Sequence, residues 1–76
     1  MNLEDMIRET LDEVFEIKSN LDFKDYFPDN ILKWDSPNHM KMCLALEKKF
    51  NIIFDNDEIE TLVNINIIAN TIRAHL

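Results

Sequence analysis

Seventy-six residues set the scale of one small domain, whose buried surface only modestly exceeds its entropic cost. With 46% hydrophobic residues, 30% charged residues and no glycine, the chain can build one core, but it lacks the residue that tight hairpins and phosphate-cradling loops require. A net charge of −7 argues against nucleic acid as a partner, and no apolar run is long enough for a membrane span. What composition leaves is a helical, soluble, single-domain protein over residues 1–76.

Leu3, Met6, Ile7, Leu11, Val14 and Phe15 recur at helical steps, with Asn2 and Asp5 as a weak capping pair at the start. Glu4, Asp5, Glu9, Asp12, Glu13 and Glu16 lie between them and read as a solvated face. This N-terminus is acidic and amphipathic rather than basic and then apolar, so no secretory leader is expected. The single cysteine, Cys43, cannot form an internal disulfide, which fits a reducing, cytoplasmic setting.

From Lys18 to Asp35 the helical period lapses, yet Leu21, Phe23, Tyr26, Phe27, Ile31, Leu32 and Trp34 supply anchors. A loop of that length is expected to pack over the core, with a turn or short helix at Tyr26–Asp29. Asp35 and Ser36 are both strong N-cap types, and Pro37 suits a first helical turn, so a second helix is predicted to start there and run to Phe50. Pro37 also biases Ser36 toward an extended backbone. Projected at helical pitch, His39, Met40, Cys43, Leu46, Glu47 and Phe50 share one side, with Met42 flanking them. Pro37, Lys41, Leu44 and Lys48 form a separate stripe. Asn51 suits the left-handed position that closes a helix. Asp55 with Glu58 resembles a capping box opening a brief helix to Leu62, with Ile59 and Leu62 inward. Asn64 caps a last helix carrying Ile65, Ile68, Ala69, Ile72 and Leu76.

On position alone, Ser36 reads as a helix cap ahead of any attachment point. The surrounding pattern changes that reading. Asp35-Ser36 followed by Met40, Met42, Cys43, Leu46-Glu47 and Phe50, then Asn51-Ile52-Ile53-Phe54 and the acidic turn Asp55–Ile59, resembles the acyl carrier protein family along nearly the whole chain. Pro37 stands where the family usually has leucine. The resemblance implies an all-α four-helix bundle with a long first loop and a short third helix. It also implies a 4'-phosphopantetheine arm, delivered from coenzyme A to Ser36 with Asp35 in support, carrying an acyl group as a thioester.

The partners so implied are a phosphopantetheinyl transferase and the loading and biosynthetic enzymes of fatty-acid-type or secondary-metabolite pathways, serving a monomeric carrier with no chemistry of its own. Two alternatives stand beside this reading: an aminoacyl or peptidyl carrier, and an unmodified helical interaction module. Family members typically carry acids along the second helix, used to dock on basic enzyme patches. Here Lys41, Lys48 and Lys49 against Glu47 make residues 36–50 net +2. Pro37, Lys41, Leu44 and Lys48 are therefore the candidate partner-docking residues, with a solvated face as the plainer account of the lysines.

The remaining reactive side chains give little. Cys43 reads as a small core hydrophobe, and His39 and His75 stand apart from any metal-ligand spacing, so no metal is expected. Asp55–Glu58 resembles a calcium loop but has Ile59 where a ligand belongs and lacks the necessary glycine. Trp34 is expected to cover the core beside the serine, and nothing in the spacing lets His39 or His75 activate Ser36.

Overall fold

A computed structural model describes residues 2–76, and among them all regular structure is helical. Four α-helices follow in order: α1 (Leu3–Val14), α2 (Ser36–Phe50), α3 (Asn56–Thr61) and α4 (Ile65–His75). The long loop between α1 and α2 contains two 3₁₀ turns, Phe23–Asp25 and Pro28–Asn30, where the sequence pointed to one.

Each α-helix starts on an Asx cap whose side-chain oxygen takes a backbone N–H three residues on. Asn2 accepts from Asp5, Asp35 from Asn38, Asp55 from Glu58 and Asn64 from Ile67. Glu58 returns the bond to Asp55 N–H, completing the capping box. Without glycine, other residues must take the left-handed conformation that closes a helix. Asn51 does so at the end of α2 with φ 56°, and Glu16 does so after α1 with φ 53°. The amide after each reaches back into its helix, Ile52 N to Glu47 O and Ile17 N to Asp12 O.

One core gathers Ile7, Leu11 and Phe15 of α1 with Met42, Cys43 and Leu46 of α2 and Ile65, Ile68, Ala69 and Ile72 of α4. Phe54 and Leu62 close it beside α3. The first loop packs down as expected, with Tyr26, Ile31 and Trp34 buried. Tyr26 fastens it twice. Its hydroxyl donates to Asp12 Oδ1 at 2.5 Å, and its carbonyl accepts Ile65 N–H at 3.0 Å, where α4 begins. Burial first, and then the Asp12 carboxylate, hold the phenol proton well above the usual tyrosine range. The Arg8 guanidinium lies over the rings of Phe23 and Tyr26 at 5.8 and 5.9 Å from their centroids.

Several expected core positions turn out otherwise. Met42 is fully buried, whereas Met40 is 44% exposed and Phe50 only half-buried. The inward arc of α2 is centred on Met42, Cys43 and Leu46, which share one core with Ile7, Leu11 and Phe15 of α1. Leu32 points straight into solvent at 99% exposure, Phe27 is at the surface, and Leu76 lies outside the core beyond α4.

Candidate functional site

The start of α2 is held by a set of short-range bonds. Asp35 is the extended cap residue, with ψ 179°, and Ser36 is the first residue of the helix. The expectation that Ser36 itself would cap, on an extended backbone, is thus corrected by one position: the Asp35 carboxylate takes the role, accepting Asn38 N–H at 3.0 Å. Asn38 in turn donates from Nδ2 to Lys33 O at 2.8 Å, pinning the incoming loop to the first turn. Relieved of capping, Ser36 is exposed, and its hydroxyl enters no hydrogen bond among the described residues.

His39 completes the frame. Its Nδ1 accepts Trp34 Nε1–H at 2.9 Å, and its Nε2 lies 2.8 Å from Ile59 O at the far side of the site. Because Trp34 can only donate and the carbonyl can only accept, the ring is fixed as the tautomer protonated on Nε2. Both ring nitrogens are therefore occupied, and neither is free to take a proton from Ser36. Trp34 is 8% exposed and stacks on Phe15 with ring centroids 4.7 Å apart, so it is built into the core and reaches the site by its edge.

Beside Ser36 opens a groove of about 470 Å³ between the first turn of α2, the end of α3 and the loop. Pro28, Trp34, Met40 and Val63 give it apolar walls, and Asp35, Ser36, His39 and Glu60 supply its polar points. The exposure of Met40 and Val63 thus has a local setting: both line this groove. Pro28, Glu60 and Val63 were not foreseen as part of the site, since they reach it only through the tertiary fold. For His39 the available signal was a tryptophan five residues earlier, too general to act on.

The other candidates fall elsewhere. Pro37, Lys41, Leu44 and Lys48 are all exposed, as the projected stripe required. Glu47 is half-buried, and its carboxylate accepts Phe54 N–H at 2.8 Å, tying α2 to the segment ahead of α3. Burial, reinforced by Glu47, pushes the Cys43 thiol up to about 11, which keeps it protonated and unreactive. His75, far from isolated, meets the Glu58 carboxylate at 3.0 Å and the edge of Phe54. Among the described residues no group of three or more His, Cys, Asp or Glu side chains could hold a metal, and no helix is long and apolar enough to cross a membrane. Comparison with protein-family models, curated proteins and solved structures gives no match for this chain.

Proposed function

We propose that the chain is an acyl carrier protein whose Ser36 bears a 4'-phosphopantetheine arm. The observation that carries this reading is an exposed, unbonded serine hydroxyl on the first turn of α2, at the edge of a largely apolar groove. A helix N-terminus favours the phosphodiester that would form there, through its unpaired N–H groups and the positive end of its dipole.

In the loading step Ser36 Oγ attacks the β-phosphorus of coenzyme A. The new O–P bond forms as the pyrophosphate bridge breaks, 3',5'-adenosine bisphosphate leaves, and the serine proton passes to a base on the transferase. Asp35 holds the serine turn in register through its bond to Asn38. Once attached, the arm supplies a thiol for a thioester, and the walls of Trp34, Met40 and Val63 offer apolar surface against which the arm and its cargo can lie.

The test is intact mass after incubation with coenzyme A and a broad-specificity phosphopantetheinyl transferase. Wild type should gain one phosphopantetheinyl group and Ser36→Ala none. Because Asp35 rather than Ser36 caps the helix, Ser36→Ala should leave the melting temperature essentially unchanged. No gain on wild type, with a control carrier modified in parallel, would favour the unmodified interaction module.

A further inference from the structure

The face of α2 that turns away from the core has the opposite charge to the rest of the molecule. Residues 36–50 carry +2 in a chain of net −7, so the remainder carries −9. The single acid of the helix, Glu47, is drawn inward to Phe54 N–H, which leaves the outer surface to lysines. Lys41, Leu44 and Lys48, spaced by three and four, lie along one exposed stripe.

The lysine at the end of the first loop, by contrast, is paired. Lys33 Nζ lies 2.9 Å from Glu16 Oε2, and the Glu16 carboxyl is held below its ordinary value, first by Lys33 and then also by Lys18 and Lys41. Lys18 and Lys33 belong to the first loop and Lys41 to α2. Next to them a groove of about 270 Å³ is lined by Lys18, Lys33 and Leu32 among others. Leu32 is 99% exposed and Leu44 60% exposed. A lone surface leucine is ordinary, but Leu44 lies between Lys41 and Lys48, which form no ion pair among the described residues, and has the make-up of a recognition surface, an apolar anchor within a charged rim.

We propose that this face docks the enzyme that serves Ser36, and that the enzyme meets it with an acidic surface bearing an apolar recess for Leu44. The inference rests on the carrier reading of Ser36. Opposite charge steers the encounter and rejects partners with a basic face, while Leu44 supplies the desolvated contact.

The test follows loading of Ser36 from coenzyme A by two phosphopantetheinyl transferases, one with an acidic and one with a basic docking face, at low and high salt. The acidic-faced enzyme should load wild type faster, with a rate that falls as salt rises. Lys41→Glu with Lys48→Glu should slow that enzyme by about tenfold, within the range that electrostatic steering provides, and reverse the preference. Leu44→Ser should lower the rate without changing its salt dependence. All three substituted positions are exposed, and thermal melts check that the variants stay folded. Unaltered rates in the lysine variant with both enzymes, while loading proceeds, would overturn the docking face and leave the carrier reading intact. Absence of loading by either enzyme, with a control carrier loaded, would remove the carrier reading and the docking face with it.

Discussion

Trp34 and His39 are joined by a 2.9 Å hydrogen bond from the indole N–H to Nδ1, which makes the imidazole a bridge from the loop before α2 to the carbonyl of Ile59 in α3. Removing the bridge leaves a buried indole donor unpaired, while the Ile59 carbonyl keeps the Leu62 N–H. Such a loss costs about 1–3 kcal/mol. His39→Ala should therefore lower stability by about that much. The single tryptophan reports the change directly, as a shift in fluorescence with a lower urea midpoint. An unchanged midpoint would mean that the bridge contributes nothing.

Acid should loosen α3 through Glu58. The Asp55 N–H first, and then the His75 ring, hold its carboxyl below the ordinary value of 4.5. A depressed folded-state value means that the unfolded chain binds the proton more readily. The contribution is thus fully present above about 4.5 and is lost as pH falls through the folded-state value. Glu58→Gln should flatten that part of the stability profile. Equal slopes for wild type and variant in denaturant titrations across this range would contradict it.

Cys43 should resist alkylation in the folded protein at pH 8, since burial holds the thiol at about 11 and closes off access. Intact mass after iodoacetamide should show no adduct in native buffer and one adduct in urea. Fast native labelling would mean that α2 opens readily around Cys43.

What was legible in the sequence was local. Asn2, Asp35, Asp55 and Asn64 announce helix starts because each cap acts within three residues, and Asn51 announces an end for the same reason. Orientation was harder. Met40 and Met42 point to different sides of α2, and only the packing of the other elements around the helix decides which of them is buried. In the loop, Ile31 is buried and its neighbour Leu32 exposed, a difference set by the 3₁₀ turn at Pro28–Asn30 rather than by hydrophobicity. Asp35 and Ser36 could be picked out as a pair, but which of them caps was settled by a hydrogen bond. The groove walls at Glu60 and Val63 lie far along the chain from Ser36, beyond the reach of any spacing argument.

The two bonds of Tyr26 bear on the order in which the molecule assembles. Helix starts that depend on contacts three residues long can form early, each on its own. Tyr26 ties Asp12 to Ile65: its hydroxyl bond exists only once the loop has met α1, and its carbonyl bond only once the loop has met α4. Contacts of that kind belong to the last part of the folding reaction and act on the rate of escape from the native state. Tyr26→Phe should accordingly speed unfolding while leaving the refolding limb of the chevron nearly where it was. The hydroxyl is in effect a latch, closed after the helices are built and the first thing to open when they come apart.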